Sequence, residues 1–182
     1  MIMKRDKEAL DFIDKFKIAT TDTLAELFYP SIQIAQRRLK ILTDDKHIKR
    51  DRDHFTMQYH YYQKKTTQSR HSILLTDFYR ELNKIAEIEY FDKEFSIGSV
   101  RSDGLVVYKK NNTNYVAFIE VQIANTPIDI DKYEKLYRSG IYKSYFNNVF
   151  PLIIVITNKS IPKTKLKVIK VNENISLEGL IK

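Results

Sequence analysis

Residues 100–125, VRSDGLVVYKKNNTNYVAFIEVQIAN, place two runs of strong β-formers on either side of an Asn-rich turn. Such a pattern predicts a β-hairpin, and one this rich in Val, Ile, Tyr and Phe needs a core to lie against. Asp103 stands at the start of its first strand, and Glu120 and Gln122 stand near the end of the second. Side chains alternate faces along a strand, so Glu120 and Gln122 are expected on the side of Val116 and Phe118. A carboxylate on an apolar wall is costly unless it is paired, hydrogen-bonded or bound to a metal. Asp103, Glu120 and Gln122 are therefore candidate site residues. Two structural arrangements compete with a site: Asp103 capping a turn with Gly104, and Glu120 pairing with Arg101, Lys109 or Lys132.

The flanking segments extend the hairpin into a sheet. Upstream, EIEYFDKEFSI is strand-like, and residues 96–99 read as a loop. Glu94 is a further acidic residue in that region. Downstream, the segment before Pro127 ends the strand, because a residue preceding proline disfavours helix. A helix is expected from Asp129 or Asp131 to Phe146, packing through Tyr133, Leu136, Tyr137, Gly140, Ile141 and Ser144. The tyrosines of 133–145 read as packing residues. PLIIVIT, bounded by Pro151 and Asn158, is an unbroken apolar run of the kind a central, doubly covered strand needs. KLKVIKV, residues 165–171, alternates like an outer strand. A helix between two such strands can act as a parallel crossover, so the sheet is expected to be mixed.

The first half has a helical period. Residues 5–17 carry Leu10, Phe12, Ile13 and Phe16 in one stripe. Thr20 or Thr21 can cap a short second helix, DTLAELF. A third helix from Ser31 to Thr43 turns Ile32, Ala35, Leu39 and Leu42 inward and Gln33, Gln36, Arg37 and Lys40 outward. Residues 47–65 then read as a β-hairpin whose tip carries Lys49, Arg50, Arg52 and His54, with Asp51 and Asp53 better placed in its turn. Three helices followed by a hairpin suit a winged helix-turn-helix. In it, arginine can read guanine and glutamine can read adenine in the major groove, while the hairpin's cations meet phosphates. Residues 70–86 predict a fourth helix, with His71 at its start and a stripe of Leu74, Leu75, Phe78, Leu82 and Ile85, that joins the halves and offers a homodimer face.

Charge narrows the partner. Lys and Arg outnumber Asp and Glu by 31 to 23, a formal charge of +8, so an anionic partner is expected: nucleic acid first, a membrane surface second. No apolar run is long enough to span a bilayer, and the charged N-terminus lacks a signal peptide's apolar core. The absence of cysteine removes disulfides, thiolate zinc sites and cysteine nucleophiles. A cytoplasmic location is the expectation. With four glycines and no phosphate-binding Gly loop, NTP hydrolysis is not expected. No tyrosine–histidine cluster of the relaxase kind is present.

The second half resembles the PD-(D/E)XK nuclease core through Asp103, the Glu120-Val121-Gln122 strand end, and a following helix with Lys132 and Tyr133. The resemblance implies that Asp103 and Glu120 bind Mg²⁺, helped by the Val121 carbonyl. The third position, usually a lysine that orients or activates water, is Gln122 here. A neutral amide can position water but cannot act as a general base. With the winged helix and connecting helix before it, the chain resembles the replication-relaxation family. Its members are small DNA-binding proteins of plasmids and integrative elements of Gram-positive bacteria, thought to act in replication or conjugative transfer. The family's strand-end pattern is often Glu-x-Asp, from which Gln122 departs.

The expected fold is thus α+β: a winged helix over residues 1–68, a connecting helix over 69–87, and a small α/β nuclease-like domain with a mixed sheet over 88–182. The expected function is origin binding or an auxiliary role in replication or transfer, on double-stranded DNA. A Mg²⁺-dependent endonuclease, with Asp103, Glu120 and Gln122 as catalytic residues, and an adaptor for a relaxase or replication initiator are the alternatives.

Overall fold

The structure is a computed structural model that describes residues 2–53, 56–67, 69–177 and 180. It is an α+β fold, with six helices and a mixed five-stranded sheet among the described residues. Contacts divide the chain into Met1–Arg80 and Glu81–Lys182. Among the described residues, no helix is long and apolar enough to cross a membrane.

In the first unit, α1 (Lys4–Phe16), β1 (Ala19–Thr20), α2 (Thr21–Phe28) and α3 (Ile32–Asp44) precede a hairpin of β2 (Lys49–Arg52) and β3 (Tyr59–Tyr62). Local chemistry sets the helix starts. The Thr20 side chain accepts the Thr23 N–H at the head of α2, and Ser31 accepts the Ile34 N–H at the head of α3. Leu24, Ala35, Leu39 and Leu42 are buried, and Phe12 packs with Phe16, Phe28 and Tyr79 at centroid distances of 4.4–5.4 Å. Ala19–Thr20, between the first two helices, pairs with β3 and completes a three-stranded sheet in the order β1-β3-β2.

The stripe of α1 holds a residue that periodicity assigns to solvent. Asp6 is fully buried, while Leu10 is only half-buried. Asp6 accepts the Met3 N–H at 2.7 Å, the Tyr29 hydroxyl at 3.1 Å and two bonds from Arg38, at 3.2 and 2.5 Å. One carboxylate thereby ties the start of α1 to the end of α2 and the middle of α3. Burial alone would raise its pKa, but these donors together hold it below the usual carboxylate range. Tyr29 is pushed up by burial and by the adjacent negative charge.

The division between the units falls within α4 (Ser69–Ile85). The second unit then contains β4 (Glu87–Lys93), β5 (Ser96–Ile97), β6 (Val100–Arg101), β7 (Gly104–Lys110), β8 (Thr113–Val121), α5 (Asp131–Ser139), α6 (Tyr142–Tyr145), β9 (Leu152–Ile156) and β10 (Val168–Val171). The five-stranded sheet has the order β10-β9-β8-β7-β4. β7 and β8 are antiparallel, joined by Asn111 and Asn112, both at positive φ (48° and 61°). Asparagine tolerates that region, and a two-residue turn with both φ positive matches the twist of a hairpin. β9 lies parallel to β8 and to β10, and its residues 153–156 are fully buried, as the apolar run requires.

Two expectations are corrected here. Residues 96–99 are not a plain loop: Ser96 and Ile97 form β5, which pairs with β6 around Gly98 and Ser99. The helix expected from 129 or 131 to 146 is two helices. Gly140, at φ 70°, ends α5 in the left-handed conformation that glycine adopts without a Cβ penalty. The break shifts the packing phase. Tyr133, Leu136 and Tyr142 enter the core, whereas Tyr137 and Ile141 are half exposed at 50% and 44%. Phe118 is the centre of that core, with Tyr133, Phe146 and Phe150 around its ring at 5.2–6.2 Å.

Candidate functional site

Gln33, Gln36, Arg37 and Lys40 are all exposed. Their spacing of three, one and three residues sets them on one face of α3, opposite buried Ala35, Leu39 and Leu42. Lys40 lies 2.7 Å from Asp44, an exposed pair of the kind worth little and readily exchanged. Arg38, between the exposed residues in sequence, is turned the other way onto Asp6. α3 is therefore held by one arginine and presents the next.

The hairpin register pairs Lys49 with Tyr62, Arg50 with Tyr61 and Arg52 with Tyr59. Arg50 and Arg52 share a strand face, and both guanidiniums lie over the Tyr59 ring, at 4.5 and 5.6 Å. Arg52 also donates to the Met57 carbonyl at 3.0 Å. Lys49 is exposed. Among the described residues, Arg37, Lys49, Arg50 and Arg52 make no ion pair with a carboxylate. Asp53 sits at the turn, where it accepts the Thr56 N–H at 2.7 Å. Asp51, expected in the turn, lies instead within β2, 3.5 Å from Lys65. His54 lies outside the described residues.

In the second unit, Gly104 pairs with Ile119, which sets Asp103 across from Glu120. Asp103 accepts the Val121 N–H at 2.7 Å, so it clasps the neighbouring strand. Glu120 meets α5: the Lys132 Nζ lies 2.7 Å from Oε1, and the buried Tyr133 donates its hydroxyl to the same oxygen. Lys132 also donates to the Arg101 carbonyl at 2.8 Å. Lys132 is thus the partner, among the three lysines and arginines open in the sequence. Burial is the main influence on the Glu120 carboxyl and holds it above its usual range; Lys132 and Tyr133 oppose it, and the Asp103 charge adds to it. Tyr133 is pushed far up by burial and by Glu120. Glu94 pairs with Arg101 at 2.7 Å.

Gln122 follows the end of β8. Its amide nitrogen donates to the Thr126 hydroxyl at 2.8 Å and to the carbonyls of Thr126 and Ala124 at 3.1 and 3.3 Å. Carbonyl acceptors identify that end of the amide as nitrogen. Its role here is to tie down residues 124–126.

The Mg²⁺ that the nuclease resemblance implies requires hard oxygen ligands free to face an ion. The residues do not fit a resident ion. The counter-charge of Glu120 is the Lys132 ammonium, seated on Oε1 beside the Tyr133 hydroxyl. One Asp103 oxygen is spent on the Val121 N–H. Among the described residues, no third His, Asp or Glu joins them. The cluster is an ion pair with a hydrogen-bonded clasp, not a ready cation site.

Comparison with protein-family models, with curated proteins and with solved structures finds no match to this chain. Function therefore rests on the geometry of these two units.

Proposed function

We propose that this chain is a sequence-specific, double-stranded-DNA-binding protein whose first unit works as a winged helix. α3 enters the major groove with Gln33, Gln36, Arg37 and Lys40, and the β2–β3 hairpin lays Lys49, Arg50 and Arg52 on the phosphate backbone. The observation that carries this is the face of α3: two glutamines and two cations, all exposed, opposite buried Ala35, Leu39 and Leu42. Arginine and glutamine are the side chains that read guanine and adenine edges bidentately. The wider role is the one implied by the resemblance to replication-relaxation proteins. The chain acts in the cytoplasm as an origin-binding or auxiliary factor in replication or conjugative transfer of a plasmid or integrative element, bringing a relaxase or replication initiator to that DNA. Its second unit is a nuclease-like scaffold.

Selection of bound sequences from random duplexes, followed by titration of variants, tests this. Arg37→Ala is expected to cost about 1–3 kcal/mol and relax preference at one position. Lys49→Ala is expected to weaken all sequences alike and shallow the salt dependence by about one unit. Absence of any enriched sequence would remove the specific reading.

The Mg²⁺-dependent endonuclease implied by the nuclease resemblance is the second reading; the Lys132–Glu120 ion pair stands against it. Supercoiled and single-stranded DNA incubated with Mg²⁺ or Mn²⁺ decide it. Cleavage abolished by both Asp103→Ala and Glu120→Ala would establish an enzyme; intact DNA with wild-type protein retires that reading.

A further inference from the structure

A groove of about 740 Å³ runs between α5 and residues 163–167, lined by Glu134, Tyr137, Arg138, Lys163, Lys165 and Lys167 among others. Its volume is in the range that holds a small organic ligand. Its lining carries four cations and one carboxylate. Arg138 pairs with Glu134 at 3.1 Å, and Glu134 also accepts the Thr164 hydroxyl at 2.8 Å, so that carboxylate is already engaged. The three lysines are exposed, and their side chains make no ion pair or hydrogen bond among the described residues. Tyr137 supplies an aromatic surface. Its ring stacks on Tyr142 at 5.6 Å and 9°, meets Phe150 edge-on at 5.3 Å, and leaves half of its surface exposed. That support fixes the ring's orientation, so stacking on its open surface costs little ordering.

We propose that this groove binds single-stranded nucleic acid, with Lys163, Lys165 and Lys167 on the phosphates and Tyr137 under a base. Free cations beside a rigid exposed aromatic ring are the combination that binds single strands without reading sequence. An acidic peptide or an anionic membrane would use the lysines but gain nothing comparable from a fixed, stackable ring. The site lies in the second unit and is independent of the duplex reading of the first.

The test uses the full chain carrying Arg37→Ala, Lys40→Ala, Lys49→Ala and Arg50→Ala together, so that duplex contacts of the first unit do not contribute. Binding of a labelled oligothymidylate is followed by anisotropy across a salt series. Residual binding is expected on this background. Adding Lys163→Ala, Lys165→Ala and Lys167→Ala is expected to lower affinity at least about tenfold and shallow the salt slope by about two units. Tyr137→Ala is expected to lower affinity about tenfold with the slope unchanged, because stacking releases no counterions. The three lysines are exposed and Tyr137 is half exposed; a cooperative melt with Tm above the assay temperature checks that the variants fold. The proposal is overturned if the background protein does not bind the oligonucleotide, or if the triple lysine variant binds it equally well. It is also overturned if polyglutamate or phosphatidylserine vesicles compete as well as the oligonucleotide, or if Tyr137→Ala is silent. Failure of the duplex reading would show separately, as unchanged duplex binding by the background protein.

Discussion

Asp6→Ala is expected to destabilise the first unit by about 3–5 kcal/mol, the cost of stranding a buried partner charge. Four donors converge on that carboxylate: the Met3 N–H, the Tyr29 hydroxyl and two nitrogens of Arg38. The alanine removes the acceptor for all of them and leaves the Arg38 guanidinium with 11% side-chain exposure and no counter-charge at Asp6. The loss is a large fraction of a small domain's stability. Denaturant unfolding, with hydrogen exchange of α1 and α3 amides to locate the loss, measures it. The pH dependence follows from the lowered pKa of Asp6. Its contribution is present at neutral pH, above the unfolded value, and is lost as pH falls through the lower folded value. Asp6→Ala should therefore erase that acid limb. Loss of less than about 1 kcal/mol would mean that Arg38 finds an equivalent partner.

Lys132→Met is expected to cost about 1–3 kcal/mol at neutral pH, below the range for fully buried pairs because both partners keep some solvent. Lys132 and Glu120 retain 21% and 16% side-chain exposure. Methionine keeps the stem but removes the charge, leaving Glu120 beside Asp103 with only the Tyr133 hydroxyl. The sign with pH is opposite to that of Asp6. A raised folded pKa means that Glu120 contributes stability below its unfolded value and loses it as pH rises through the folded value. Removing the ammonium raises that folded value further, so the defect should be deepest at neutral pH and shrink on acidification. Glu120→Gln in the same chain should recover most of it. In wild-type protein, Mg²⁺ should leave Tm unchanged, since the Lys132 ammonium already balances Glu120. A Tm that climbs with Mg²⁺ would show that the carboxylates release the lysine for an ion.

Much of the second unit was legible because its signals are local and strong. PLIIVIT suits a covered strand, and the Asn-rich stretch 111–114 marks the β7–β8 turn, which tightens to Asn111 and Asn112 because β8 already starts at Thr113. The stripe of α3, with its polar opposite face, was equally readable. Other features depend on distance in the chain. Asp6 sits in an apolar stripe, and nothing local shows that Arg38, 32 residues on, is aimed at it. Ala19–Thr20 is too short for periodicity to register, and becomes a strand only because β3 offers an edge. Gly140 falls on the packing face that periodicity predicts, and its positive φ instead ends the helix. Lys132 was one of three cations open to Glu120, and the choice follows from where α5 starts relative to the end of β8. Residues 165–171 read as an outer strand, but the strand starts only at Val168, and the grouping of Lys163, Lys165 and Lys167 around Tyr137 needs the fold.

The central claim is duplex recognition by α3 and the hairpin. Its most direct measurement is the affinity of the Arg37/Lys40/Lys49/Arg50→Ala variant for the selected duplex, beside wild-type protein at the same salt. A loss of about 100-fold or more is predicted, since about 1.4 kcal/mol is tenfold and one base contact plus several phosphate contacts are removed. The folded state, read by Tm, should be retained because the replaced residues lie outside the buried core. Undiminished affinity in a folded variant would contradict the account.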